Sequence, residues 1–422
     1  MINQHSLDAV DSRKSGIQTV MPLYDSYCFS NLNMLFSNLL GTGAETRMPL
    51  QVLGDSPHFF KKIVFIYLDA FGWDVFEKIN RKSSLLARIL EEGVVSKITS
   101  QFPSSTAPHV TSIHTGMEVG ESGIYEWFQY VPEVDNIITP LLFSLGYDRE
   151  RNRLLDLGFD PEKIFPTATF YHHLREHGIE SYIFQSSAYT PSPISDVVFQ
   201  GSSKVVPYVT IPEACTNLVE HLKAEQNPSY FFLYLGNVDS IGHLYGVDSR
   251  QYTSEILSTL SIIEHRLIDQ ITDQKETLLV ISTDHGMSDL QPGDVFFLNQ
   301  EIPEIIPMLR KNRAGETILP AGGCRDMFLH VKEECIGDFV EATSERLNQS
   351  AGIYKTPKLI EEGWFGREVS KRFVECVGDL LILPEPKKGI WWLHGEKPAK
   401  HIGHHGGASI SELEIPLLML DW

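Results

Sequence analysis

Six carboxylate and imidazole side chains fall directly after, or just before, short apolar runs of this sequence. Asp69 closes KIVFIYLD; Asp239 and His243 follow SYFFLYLGN in the stretch VDSIGH; Asp284 and His285 close LLVISTDHG; His405 sits in HIGHHGG shortly before the last apolar run. Imidazole with carboxylate is a usual ligand mix for zinc or manganese. Three Asp and three His suffice for two divalent cations. Taken singly, each has an ordinary explanation: an Asp at a strand end is commonly a turn or helix-capping residue, and Asp239 with His243, four apart, suits a solvated helix pair. The adjacent Asp284 and His285 are more specific, because buried charge at a strand end is costly unless a cation accompanies it. Jointly the six point to a metal centre.

A nucleophile is present as well. Residues 103–116 read PSSTAPHVTSIHTG, a proline-started loop, then Thr106, then a helix-compatible stretch closed by Gly116. A hydroxyl at a helix N-terminus lies where backbone N–H groups and the helix dipole favour an anion, so an alkoxide and a bound phosphate would both be stabilised there. The plain alternative is that Thr106 is only a capping residue. Ser104 and Ser105 are adjacent hydroxyls that would take over if the register differs.

The elements that must hold these residues have a regular rhythm. Lys62–Leu68 reads as a buried parallel strand and Asp74–Leu90 as a helix stopped by Gly93. The pattern recurs: Phe170–Glu176 as a helix closed by Gly178, Ser181–Gln185 as a strand, Ile211–Ala224 as a helix, Ser229–Leu235 as a strand. Ile256, Leu257, Leu260, Ile263, Leu267, Ile268 and Ile271 recur at helical spacing, and Thr277–Thr283 is a further buried strand. Repeated βαβ units predict a mostly parallel sheet with helices on both faces, and in such sheets ligands bind beyond the carboxyl ends of the strands. From about Ser288 to Lys400 the rhythm loosens and prolines multiply, which predicts an inserted cap with its own helix (Phe339–Leu347) and strand (Asp379–Leu383). Leu413–Leu420 then returns to core-strand composition. The expected division is an N-terminal extension over 1–50 packed on the core, a catalytic domain over 51–288 and 401–422, and the cap over 289–400.

In order along the chain, LDAFGWD, FPSSTAPHVTSIHTG, NVDSIGHLYG, STDHGM and GHHGG resemble the motifs of the alkaline phosphatase superfamily, in its nucleotide pyrophosphatase/phosphodiesterase branch. The resemblance implies an alkaline-phosphatase-like α/β/α sandwich with two zinc ions at the carboxyl edge of the sheet; manganese, as in mutase relatives, would fit the same donors. Carried over by motif, Asp69, Thr106, Asp284 and His285 correspond to ligands of the metal that activates the nucleophile, and Asp239, His243 and His405 to ligands of the second. The family's G-x-H-G pattern selects His405 over His404, leaving His404 and His401 as neighbours. The implied chemistry is attack by Thr106 on a phosphate ester, giving a phospho-threonine intermediate that is then hydrolysed.

The chain departs from the family where phosphodiesterases carry an Asn that contacts a phosphoryl oxygen; Ser122-Gly123-Ile124-Tyr125-Glu126-Trp127 has none. Tyr125, His109 and Arg325 are the candidate replacement donors, although Arg325 could equally pair a neighbouring carboxylate. Phe71, Trp73, Tyr125, Trp127 and Phe128, with Trp391 and Trp392 in the cap, could line a pocket for a planar leaving group, though core packing is their commoner use. No Cys falls in 103–116, which sets the chain apart from cysteine-using sulfatases, and Thr in the nucleophile position favours diesters.

Composition bounds the rest. With 35 Lys+Arg against 55 Asp+Glu the chain of 422 residues carries a net charge of −20, which disfavours a polynucleotide partner. Its expected partner is a small phosphorylated, nucleotide-like substrate, and metals rather than lysines would provide the local positive charge. No apolar run reaches the roughly 20 residues of a membrane span. The N-terminus lacks a secretory pattern, and the five scattered Cys give neither a disulfide framework nor a thiolate zinc site, so a cytoplasmic location is expected. Two other readings stay open at this point: a phosphomonoesterase or phosphonate hydrolase using the same site, and a catalytically inactive metal-binding interaction module.

Overall fold

A computed structural model describes residues 1–15, 19–148, 150–271, 275–394 and 400–421. Residues 395–399, at the end of the expected cap, lie outside the described residues, as do 16–18, 149, 272–274 and 422.

Seven strands form the central sheet: β1 (Lys62–Leu68), β2 (Val94–Thr99), β3 (Glu180–Ser186), β4 (Lys204–Tyr208), β5 (Ser229–Leu235), β6 (Thr277–Ser282) and β7 (Glu414–Asp421). Their order across the sheet is β2-β7-β6-β1-β5-β3-β4. Adjacent pairs from β6 to β4 are parallel, while β7 runs antiparallel to both β6 and β2. Every residue of β1, β5 and β6 is buried, which explains their continuous apolar character: both faces of the sheet are covered, so no face can be polar. Ile63, Phe65 and Tyr67 enter one core, Val64, Ile66 and Leu68 the other, as the two-residue period of a strand requires.

The crossovers include α1 (Trp73–Ile79), α2 (Thr106–Thr115), α3 (Phe170–Glu176), α4 (Ile211–Ala224), α5 (Asn237–Tyr245) and α6 (Arg250–Arg266). The single helix expected over Asp74–Leu90 is in fact two, α1 and Ser84–Glu92. The break has a local cause: the Ser83 side chain accepts the N–H of Leu86 and starts a new helix. Two strands were not anticipated. β2 carries Ser96 and Lys97 within a fully buried run, and Lys97 is accommodated by Asp11 and Glu414 at 2.7 and 3.3 Å. β4 holds Pro207, which an edge strand tolerates.

The first fifty residues are not a loose appendage. Val10, Val20, Leu23, Tyr27, Leu32, Leu35 and Phe36 are buried in the same core as β1. Beyond β6 the chain builds a four-stranded antiparallel sheet from Ala321–Gly322, Met327–Leu329, Leu380–Pro384 and Ala351–Lys355. A separate apolar cluster beneath it includes Leu298, Ile305, Met327, Phe339, Leu380 and Trp392. A two-stranded ribbon, in which Ser288 pairs with His404 and Asp289 with Gly403, joins the two ends of this segment, while Phe328, Phe365 and Phe373 from within it are buried in the same core as Phe65 and Tyr67. Among the described residues no helix is long and apolar enough to cross a membrane.

Candidate active site

The carboxyl ends of β1, β5 and β6 are neighbours, and each delivers one aspartate. Asp69 follows β1 directly; Asp239 lies in the first turn of α5, just after β5; Asp284 lies two residues beyond β6. Backbone and side-chain bonds join these ends. The Ala70 N–H donates to Asp284 Oδ1 at 3.3 Å and the Phe71 N–H to Thr283 Oγ1 at 3.1 Å. To turn there, Ala70 adopts φ +63°, a left-handed conformation that disfavours any residue with a Cβ. The Tyr252 hydroxyl holds the turn by donating to the Ala70 carbonyl. Gly286, in TDHG, packs so closely that a Cβ would fall 2.0 Å from the Ser411 carbonyl oxygen, which is why glycine follows His285.

All three histidines are oriented alike. The Nδ1 of His285 lies 2.9 Å from the Gly286 carbonyl, that of His243 2.8 Å from the Gly403 carbonyl, and that of His405 3.0 Å from the Ser104 carbonyl. A carbonyl only accepts, so each Nδ1 carries the proton and each Nε2 presents a lone pair, the state of a metal-ligating imidazole. The Nε2 atoms face the aspartates: His285 lies 3.2 Å from Asp284 Oδ2 and 3.6 Å from Asp69 Oδ1, while His243 and His405 lie 3.4 and 3.8 Å from Asp239 Oδ1. The His285 and His405 rings stack at 3.8 Å. Two ligand groups result, Asp239 with His243 and His405, and Asp69 with Asp239 and His285.

Asp69 Oδ1, Asp239 Oδ1 and Asp284 Oδ2 are buried without a hydrogen-bond partner. Burial, reinforced by Asp284 and Asp239, pushes the Asp69 carboxyl well above its ordinary range, and burial raises Asp239 to about 6. Burial holds the imidazoles of His285 and His405 well below their ordinary value, and therefore neutral. Acceptor-only oxygens converging with imidazole lone pairs form a donor set that lacks its acceptor of electron pairs. Divalent cations fit it.

Thr106 stands at the first position of α2 with its hydroxyl partly exposed and 3.3 Å from His285 Nε2. Ser105 is the capping residue, and the Ser104 hydroxyl is turned away, donating to the Gly407 carbonyl at 2.7 Å. Of the consecutive hydroxyls of Ser104, Ser105 and Thr106, that of Thr106 is the one beside the cluster.

The candidate substrate donors are turned inward. His109 Nδ1 donates to the Ser105 carbonyl at 2.7 Å and its Nε2 accepts the Gln101 N–H at 3.0 Å. Burial pulls its pKa down to about 4, so it is a neutral strut between β2 and α2. The Tyr125 hydroxyl donates to the Cys376 carbonyl at 3.1 Å, its ring packed against Phe328 and Phe373. Arg325 is buried, with Nε and Nη2 each 3.0 Å from a Glu412 oxygen and Nη1 on the carbonyls of Glu385 and Lys388. All three are thus engaged within the protein, and Arg325 takes the carboxylate pairing that was its alternative. Phe71, Trp73 and Trp392 are likewise buried in the cores, whereas Phe128 stacks on Tyr147 and Trp391, and Trp127 is exposed. His404 is half-buried in the ribbon with Nε2 3.2 Å from the His401 carbonyl.

One contributor went unread in the sequence. Tyr234, within β5, donates its hydroxyl to Asp69 Oδ2 at 2.5 Å. The signal was a tyrosine in a wholly buried strand, whose hydroxyl must find a partner.

The family model of type I phosphodiesterases and nucleotide pyrophosphatases matches residues 63–408, a span that contains every residue of this cluster. The chain belongs to that family. As a type I phosphodiesterase/nucleotide pyrophosphatase family member it is a phosphodiesterase-type hydrolase, and the family is metal-dependent. No curated protein matches it by sequence. Among solved structures it is similar to murine ectonucleotide pyrophosphatase/phosphodiesterase 5, in an inactive variant in complex with AMP, at 17% identity and a TM-score of 0.65 over 84% of this chain and 87% of that one. The human counterpart gives 17% identity and 0.65 over 85% and 87%. At that identity the likeness speaks for the fold, an alkaline-phosphatase-like α/β/α arrangement.

Proposed function

We propose that this family member cleaves phosphodiesters of nucleotide-like substrates by in-line attack of Thr106 Oγ1, with two divalent cations, zinc first among them, held by the aspartate and histidine cluster. Asp69, Asp284, His285 and Thr106 would hold one cation, and Asp239, His243 and His405 the other. When bound, such cations lower the pKa of a hydroxyl and offset charge on phosphoryl oxygens. The observation that carries the reading is the Thr106 hydroxyl, 3.3 Å from His285 Nε2, at the point where orphaned carboxylate oxygens and imidazole lone pairs converge.

The chain's own residues do the rest. Thr106 loses its proton and forms an O–P bond as the bond from phosphorus to the leaving oxygen breaks; water then cleaves the phospho-threonine and returns the hydroxyl. The N-terminus of α2 favours the negative charge that develops beside it. The carbonyls of Gly286, Gly403 and Ser104 keep the three imidazoles in the ligating tautomer throughout. Arg325, Tyr125 and His109 are engaged inward and offer no donor for the extra charge of a monoester, which supports a diester substrate. The AMP bound by the murine relative supports a nucleotide-like one. We read 289–400 as a cap over this edge of the sheet.

Hydrolysis of bis(p-nitrophenyl) phosphate by Thr106→Ala tests the proposal. Turnover should fall to background, a loss of at least about a thousandfold for an essential nucleophile, with zinc content close to that of the wild type. Retained turnover would reject Thr106. A preparation with both metals bound and no turnover on a wide ester panel would reject hydrolysis itself.

A further inference from the structure

Beside the site, around Ser105 and Gly406, lies a second group of oxygens that the reaction does not use. Glu126 is 2% exposed, Asp326 0% and Ser105 1%. Asp326 Oδ1 accepts the Gly323 N–H at 2.9 Å, but Oδ2 has no partner, and neither has Ser105 Oγ, which lies alongside the Glu126 carboxyl. Glu126 Oε2 accepts the Trp127 N–H. Both carboxylates converge on Gly406, which has φ +113°: a Cβ there would lie 2.6 Å from Asp326 Oδ1 and 3.1 Å from Glu126 Oε1.

Their neighbouring cation does not neutralise them. Arg325 is bound through Nε and Nη2 by Glu412 and through Nη1 by two carbonyls, so the cluster as a whole keeps two carboxylates in excess. Burial raises Glu126 to about 7 and, with Glu126 as second cause, raises Asp326 well above its ordinary range. Two adjacent buried carboxylates persist when a proton or a metal ion lies between them. A shared proton would satisfy one oxygen of each, and the Ser105 hydroxyl is placed to donate to Glu126; the remaining Asp326 oxygen would still have no partner.

We propose that Glu126, Asp326 and the Ser105 hydroxyl form a third cation site, separate from the two built on histidine. Its donors are all oxygen, the set that suits a hard ion such as Mg²⁺ or Ca²⁺ rather than zinc. Its place in the fold gives it a task. Asp326 comes from the inserted segment, Glu126 from the loop after the short helix Val119–Ser122, and Ser105 immediately precedes Thr106, so an ion here pins the insertion to the start of the nucleophile helix. Near-complete burial makes the ion slow to exchange.

The test is elemental analysis of the full-length, zinc-loaded protein purified in Mg²⁺ and then desalted, with Mg, Ca and Mn counted together. The wild type should retain about one hard cation per chain besides its zinc. Asp326→Asn and Glu126→Gln should each lose it while keeping their zinc, and Mg²⁺ present during refolding should raise the Tm of the wild type and of neither variant. A wild type without a third ion overturns the site, as the shared proton would predict, and so does a third ion retained in both variants. If Asp326→Asn does not fold, Glu126→Gln and the wild-type metal content decide.

Discussion

Tyr234→Phe isolates one atom of the proposed metal centre. The substitution removes the hydroxyl that donates to Asp69 Oδ2 at 2.5 Å and keeps the ring, which packs edge-on against Tyr67 at 5.3 Å and Tyr189 at 6.2 Å. That hydroxyl is what pulls the Asp69 pKa downward, against burial and two neighbouring carboxylates that push it up. A short hydrogen bond to a charged carboxylate contributes about 1.5–3 kcal/mol. Lost from the ligating form of Asp69, it lowers metal affinity by about 10- to 100-fold, at about 1.4 kcal/mol per factor of ten, in the range found for partners that orient metal ligands. Chelator-competition titration of zinc reads this directly, and kcat/KM at saturating zinc should recover much of the loss. The pH midpoint of zinc uptake should also move upward, because a carboxyl that has lost its donor gives up its proton less readily. Zinc affinity within about threefold of wild type would refute the idea that Tyr234 prepares Asp69 as a ligand.

Two further outcomes follow from the charges. Arg325→Met leaves Glu412 buried and unpaired, and Glu412 also anchors the Gly407 and Ser409 N–H groups; stability in urea should drop by about 3–5 kcal/mol, whereas a variant of wild-type stability with a raised KM would assign Arg325 to substrate instead. Metal affinity of the Asp239, His243 and His405 group should weaken by about tenfold per pH unit below about 6, because Asp239 is protonated there and must release its proton, while His405 is already neutral; affinity independent of pH between about 5 and 7 would contradict this.

Much of this arrangement is legible in the residue order, and the reasons are physical. A buried parallel strand reads as an unbroken apolar run, so the first polar residue after it marks the sheet edge; Asp69, Asp284 and His285 were found that way. His243 follows Asp239 at the spacing that sets both on one side of α5. Side-chain direction is different. Nothing in AGGCRDMF distinguishes an arginine facing substrate from one clasped by Glu412, 87 residues away in the chain, and the same holds for Tyr125 and His109. β2 was passed over because Lys97 breaks its apolar run, and its neutralising partners, Asp11 and Glu414, come from opposite ends of the chain. Tyr234 was visible as a residue, but the direction of its hydroxyl was not.

The ribbon joining Ser288–Asp289 to Gly403–His404 has a consequence for how such an enzyme diversifies. Because the exit and the return of the intervening hundred-odd residues lie side by side, extra length in that stretch does not by itself separate His285 from His405. Phe328, Phe365 and Phe373 nevertheless tie the stretch into the core that holds Phe65 and Tyr67. Change is therefore tolerated best at its exposed positions, outside that shared core.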